Sequence, residues 1–145
     1  MDDEPEVITL AVPRRTQHLS LVRKVVATSA REVGFGDEDV DKIELAIDEA
    51  CSNAILYALQ SEPRQIVVEV HPGPARFVVV LKDGGAPFPF EEKGRIVLEQ
   101  QLRTPERGGL GIYMIRRFMD EVAYDYSAED GNVITMTKFL RAVAP

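Results

Sequence analysis

Glu49 and Asn53 stand one helical turn apart in the stretch AIDEACSNAILYAL, whose apolar spacing predicts a helix, so both side chains project from the same face. A carboxylate so placed can take a proton from a hydroxyl. An amide oxygen beside it can ligand Mg²⁺, which favours oxygen donors and keeps waters and substrate phosphates in its shell. The helical wheel turns the pair away from the stripe Ile43, Ile47, Ala50 and Ala54, while Leu45, Ala46, Leu56 and Tyr57 surround it, as in a cleft. Spacing alone still favours the plainer reading, a solvated i,i+4 polar pair.

Two further places carry the same double reading. Asp83 follows the apolar run FVVVLK and precedes Gly84 and Gly85, so its carboxylate belongs at a strand end beside a turn with room for a flat ligand, or is simply part of an Asp-Gly turn. Arg107, Gly108, Gly109, Leu110 and Gly111 run straight into a predicted helix, whose first N–H groups face outward and suit an anion. The same glycines also describe a hinge. The chain has no G-x-x-x-x-G-K-[ST] loop, no H-E-x-x-H and no paired cysteines, which excludes P-loop nucleotide hydrolysis and the common zinc sites. His18 and His71 stand alone, and Cys51 lies in an apolar-periodic stretch where a small buried thiol is expected.

The elements that must position these groups can be read from periodicity. Val7 to Val12 reads as a strand closed by Pro13. Gln17 to Val33 reads as an amphipathic helix, with Val22, Val25, Val26, Ala30 and Val33 on one side and a stop at Gly34 to Gly36. Asp37 is the expected N-cap of a second helix running to about Gln60, with Val40, Ile43, Ile47, Ala50, Ala54 and Ala58 facing the core. Gln65 to Val70 and Phe77 to Leu81 read as an antiparallel hairpin. The five consecutive apolar residues of its second strand predict a central strand covered on both faces. From Asp83 to Arg107 the pattern fails, apart from a weak helical signal at Ile96 to Leu102, and so long a loop is more often functional than idle. A helix over Leu110 to Met119 and strands over Glu121 to Tyr126 and Asn132 to Phe139 complete the chain. This order predicts an α+β fold: a two-layer sandwich with helices on one face of a mixed, mostly antiparallel sheet.

At 145 residues and 45% hydrophobic content, the chain reads as one domain, residues 1–145, able to bury a core. Seventeen Lys and Arg against twenty-four Asp and Glu leave a net charge of −7, which argues against nucleic acid as a ligand. The acidic start MDDEPEV and the absence of any run of roughly 20 apolar residues point away from a secretory signal or a membrane span and towards the cytoplasm.

In their order, AIDEACSNAILYAL, KDGGAPF and ERGGLGIYMIRRFMDEV resemble the ATP-binding domain shared by gyrase, Hsp90, histidine kinases and MutL. More closely, they resemble the anti-sigma-factor serine kinases of that superfamily, over roughly Gln17 to Phe139, with RGGLG followed by FMDEV as the branch-specific part. The resemblance implies a Bergerat-type ATP-binding fold with an ATP lid at about residues 84–107. It implies that Glu49 is the general base and that Asn53 holds Mg²⁺ against the triphosphate. Asp83 then accepts the adenine amino group, with Gly85 beside the ring, and Arg107, Gly109, Leu110 and Gly111 close over the phosphates. It further implies a STAS-type anti-anti-sigma protein as phosphoacceptor, a sigma factor as second partner, a homodimer, and Arg23 as a partner contact. Two residues depart from the family pattern: Pro87 stands where a further glycine is usual, and Tyr57 where a histidine often follows the asparagine. A non-catalytic nucleotide-binding anti-sigma module is the alternative reading. The catalytic domain of a histidine kinase fits less well, because no convincing phosphoacceptor helix surrounds either histidine.

Overall fold

In the computed structural model, which describes residues 6–57, 65–87 and 109–141, the first strand runs from Ile8 to Pro13 (β1). A single 3-10 turn at Thr16–His18 follows, so the first helix, α1 (Leu19–Val33), begins slightly later than its periodicity indicated. It stops at Gly34, where φ is +121°. The Gly34 N–H bonds the Ala30 and Arg31 carbonyls at 3.2 and 3.1 Å, and the Phe35 N–H returns to Ala30 at 3.2 Å. Glycine takes this backbone without the Cβ clash other residues meet. The turn sends Phe35 inward, where its ring meets Phe77 edge-on with centroids 5.8 Å apart.

The second helix, α2, spans Asp37–Tyr57. Its first-turn carbonyl acceptor is Gly36, which takes the Val40 N–H at 3.0 Å, so Asp37 is the first helical residue rather than the cap. Asp37, Glu38 and Asp39 still occupy the turn whose exposed N–H groups favour negative charge. The expected extension to Gln60 lies outside the described residues.

β2 (Gln65–Pro72) and β3 (Arg76–Asp83) form the expected antiparallel hairpin, with Ile66 opposite Asp83 and Pro72 opposite Phe77. After α3 (Gly109–Phe118), β4 (Glu121–Ser127) and β5 (Gly131–Phe139) make a second hairpin. The sheet order is β1-β2-β3-β5-β4, and every neighbouring pair is antiparallel. The sheet is therefore antiparallel throughout, because β5 inserts between β3 and β4, the pair that run the same way. The helices pack on one face, giving the two-layer α+β sandwich.

β3 is central, but among the described residues it is covered on one face only. Ile66, Val68, Val70, Phe77, Val79 and Leu81 are buried beneath the helices, whereas Val67, Val78 and Val80 are half-buried on the other face. The run of valines there reflects strand preference rather than a second layer. Lys82 and His71 share this open face, each paired with Glu69, at 2.9 and 3.1 Å. On the covered face, Val22, Val26, Val40, Ile43, Ile47 and Ile115 are all at most 1% exposed, and each contributes about 1.5–3 kcal/mol of apolar burial.

The C-terminal end of α3 is tied to β5 by two polar residues. Lys138 Nζ donates to the Phe118 carbonyl at 2.6 Å, and Asp120 accepts the Phe139 N–H at 2.7 Å. Burial alone would raise the Asp120 pKa, but the Phe139 N–H, Arg141 and Lys138 prevail and hold its carboxyl below the ordinary value. The FMDEV motif therefore has a structural role, fixing the far end of the helix whose near end carries the glycines.

Candidate active site

Ala46, Glu49, Ala50 and Asn53 fall on one side of α2 by their i, i+3, i+4, i+7 spacing. Ala46 and Ala50 are fully buried in the core. α3 packs against α2. Gly111 is buried so tightly against α2 that a Cβ on it would lie 2.6 Å from Glu49 Oε2 and 3.4 Å from Asn53 Nδ2. Its need for glycine is one of space, not of backbone conformation. The structure thus joins the polar pair of the middle helix to the glycine-opened helix. Leu45, expected to help wall the cleft, is instead exposed, and the side chains of Leu56 and Tyr57 lie outside the described residues.

Glu49 is half-buried, and its pKa is raised, first by burial and then by the neighbouring charge of Asp48. A carboxylate shifted in this direction is a better proton acceptor near neutral pH than an exposed one. If it acts as a base, activity falls as pH drops through this raised pKa, and Asp48→Asn moves the acid limb of the pH–rate profile to lower pH by removing a like charge. A limb that stays in place in the Asp48 variant would assign it to another group.

Asp83 ends β3, buried, with its Oδ1 accepting hydrogen bonds from Arg14 and from the Gly85 N–H, the latter at 3.2 Å. Burial raises its pKa, while Arg14 and the Gly85 N–H act in the opposite direction. The turn after it is held from β5. Asn132 Nδ2 donates to Ala86 O at 2.8 Å, lies 3.4 and 3.5 Å from Asp83 O and Gly85 O, and its Oδ1 accepts from the Tyr124 hydroxyl. Sequence reasoning missed Arg14 and Asn132. The available signals were slight: a basic pair after the strand-closing Pro13, and a polar residue directly after the Asp130-Gly131 turn.

Gly131 has φ +72°, and a Cβ there would meet Asp83 O at 2.4 Å and Gly84 Cα at 2.6 Å. Backbone on the far side of such a contact cannot swing away as a side chain can. Gly131→Ala is expected to cost about 2–3 kcal/mol, lowering Tm by roughly 5–10 °C in thermal unfolding. An unchanged Tm would show that this turn is not rigidly held.

Asp83 with Gly85, and Glu49 with Asn53 and Gly111, form two separate groups, and among the described residues no hydrogen bond or ion pair joins them. Gly109 and Leu110 supply the first turn of α3 through their backbone. Arg107 and most of the expected lid, residues 88–107, lie outside the described residues. Arg23, on α1, is half-buried and donates to Asp48 at 2.7 Å, at the edge of a depression of about 420 Å³ lined also by Asp41, Glu44 and Leu45. Cys51 is buried, and its thiol pKa is pushed up to about 12 by burial and by Asp48, as befits a core position. Among the described residues no helix is long and apolar enough to cross a membrane.

The family described as histidine kinase-like ATPase domain matches residues 12–138. The serine-protein kinase RsbW of Halalkalibacterium halodurans is 30% identical, over 95% of this chain and 86% of its own length. That of Bacillus pumilus is 26% identical, over 97% of this chain and 90% of its own. Among solved structures, the SiaB–SiaC complex from Pseudomonas aeruginosa has a chain of the same fold, with a TM-score of 0.63 at 13% identity, covering 92% of this chain and 88% of that one. The match from Val12 to Lys138, which takes in both hairpins and the helices between, together with these relatives matched over most of their length, means that the chain belongs to the histidine kinase-like ATPase domain family, in its serine-protein kinase branch.

Proposed function

We propose that this protein is an ATP- and Mg²⁺-dependent serine-protein kinase of a partner-switching system. It phosphorylates a serine of a STAS-type anti-anti-sigma protein and sequesters a sigma factor, acting as a homodimer in the cytoplasm. The observation that carries this reading is the approach of Gly111 to Glu49 and Asn53, which sets a proton acceptor, an amide ligand and a helix N-terminus side by side. Its family and its full-length relatives support the use of ATP and the transfer to serine.

In this reading Glu49 takes the proton of the attacking serine hydroxyl as its oxygen bonds the γ-phosphorus, while the bond to the β-phosphate oxygen breaks and ADP leaves. The N–H groups of Gly109, Leu110 and Gly111 have no intrahelical acceptors and face the phosphates. Asp83 accepts the adenine amino group, Gly85 leaves space beside the ring, and Arg107 closes from the lid. Arg23 contacts a partner at the α1 surface. Asn53 fits a cation held mainly by phosphate: among the described residues no three His, Cys, Asp or Glu side chains gather into a metal cage, and the Asn53 amide, which with Glu49 flanks Gly111, would supply one oxygen to Mg²⁺ bound to a nucleotide. Mg²⁺ would offset triphosphate charge there.

The test is incubation of the full chain with radiolabelled γ-ATP, Mg²⁺ and a candidate STAS-domain partner, followed by phosphosite mapping. Phosphoserine on the partner is the expected outcome. Tight capture of that partner without phosphoserine would favour the non-catalytic module.

A further inference from the structure

Arg14 comes directly after the last paired residue of β1. In the register, Pro13 faces Gln65 and Ile66 faces Asp83, so β2 separates Arg14 from β3. Its side chain, 4% exposed, reaches past the start of β2 to the Asp83 carboxylate. A buried arginine is costly unless its charge is matched, and here the guanidinium meets a carboxylate at the oxygen Oδ1. The Gly85 N–H converges on the same oxygen. Arg14 and Gly85 therefore both hold Asp83 by Oδ1, which restrains the carboxylate at the end of β3.

We infer that Arg14 is a positioning residue for the base site, holding the Asp83 carboxylate where it accepts a hydrogen bond from a 6-aminopurine, so that 6-oxopurine nucleotides are rejected. The inference rests on the reading of Asp83 as the adenine acceptor. An ionised carboxylate only accepts hydrogen bonds, and it matches an exocyclic amino group. A protonated carboxyl also donates, and it would satisfy a 6-oxo group equally well. Burial raises the Asp83 pKa on balance, and the Arg14 charge limits that rise. Of the strands flanking Asp83, β2 and β5 present uncharged Ile66 and Asn132 opposite it, while the neighbouring Lys82 pairs with Glu69. Arg14 is the charged group that acts on Asp83 among the described residues. Asn132 holds the backbone of the same turn, so Arg14 sets the carboxylate against a fixed frame.

The test measures ATP and ITP dissociation constants by calorimetry on the full chain between pH 5.5 and 7.5, for wild type, Arg14→Gln, Arg14→Lys and Asp83→Asn. Wild type is expected to prefer ATP by at least about tenfold at pH 7.5, because ITP leaves the buried acceptor unpaired. In Arg14→Gln the preference should shrink to within about threefold, and ATP affinity should fall as pH is lowered and Asp83 takes a proton. Arg14→Lys keeps the charge but loses the directed guanidinium, so its pH profile stays close to that of wild type while the preference still drops. If Arg14→Gln does not fold, the Lys variant carries the decision. An ATP-to-ITP ratio at the wild-type value in the folded variants would overturn the inference and leave Arg14 a structural ion pair. The base-site reading fails in a different way: wild type without preference for ATP over ITP, and Asp83→Asn without effect on it, would remove Asp83 from the site and the role of Arg14 with it.

Discussion

Replacing Glu49 by alanine is expected to lower phosphoryl transfer to the partner protein by about 10²- to 10⁴-fold while leaving ATP affinity within about threefold, the signature of a group that acts on the proton in the transition state. Its position supports this separation of effects, since its carboxylate lies against the start of α3 and is half-buried between helices. Stability should move the other way. A carboxyl whose pKa is raised in the fold is more easily protonated there than in the unfolded chain, so stability is lost as pH rises from the ordinary value of 4.5 through the folded pKa. Glu49→Gln removes that charge and should therefore leave Tm at neutral pH unchanged or slightly higher, even as transfer collapses. The paired control is Asn53→Ala, which should weaken nucleotide binding in Mg²⁺ and abolish the difference between binding with and without it. Single-turnover transfer with radiolabelled ATP and calorimetry of nucleotide binding measure both. Undiminished labelling of the partner by the Glu49 variant would take the base away from this residue.

Gly111→Ala is expected to reduce transfer by about 10²-fold without unfolding the protein. A methyl group 2.6 Å from Glu49 Oε2 cannot coexist with the carboxylate in place, and the oxygen must withdraw by roughly 1 Å to reach ordinary contact. A side-chain end can give way at small cost, so the fold survives, but misplacement of a reacting group by that distance costs on the order of 10²-fold in rate. Alanine is also the better helix former, which offsets part of the strain within α3. Loss of activity with unchanged or improved Tm separates this outcome from Gly131→Ala. There the contact is with backbone, and stability is what falls. Full transfer activity in Gly111→Ala would mean that Glu49 does not act from its observed place.

Most of the elements were legible in the sequence because they are set by local forces. The alternation in QIVVEV, the apolar stripe through Val22, Val26 and Ala30, and the Gly34 stop each depend on residues within a few positions of one another, and each reappears in the structure. The departures are also local in origin. A 3-10 turn precedes α1 and Gly36 displaces Asp37 as the first acceptor, both matters of cap geometry that composition does not resolve. The reading of β3 as covered twice failed because valine favours strands whether or not a second layer lies above it. The chemistry of Glu49, Asn53, Asp83 and the glycine cluster was visible as residue types and as a family resemblance, yet spacing alone could not tell a site from a solvated pair or a turn.

What the sequence determined by itself was therefore which segments become helix or strand and which side chains are chemically able to act. The tertiary structure decided which of them meet. Arg14 reaches Asp83 across 69 positions, Asn132 clamps the Asp83 turn across 46 to 49, and Gly111 abuts Glu49 from another helix. None of these pairs shares a local hydrogen-bonding pattern. They exist because β5 slots between β3 and β4 and because Gly111, lacking a side chain, lets α3 lie close against α2, so sheet register and the closeness of helix packing brought the partners together.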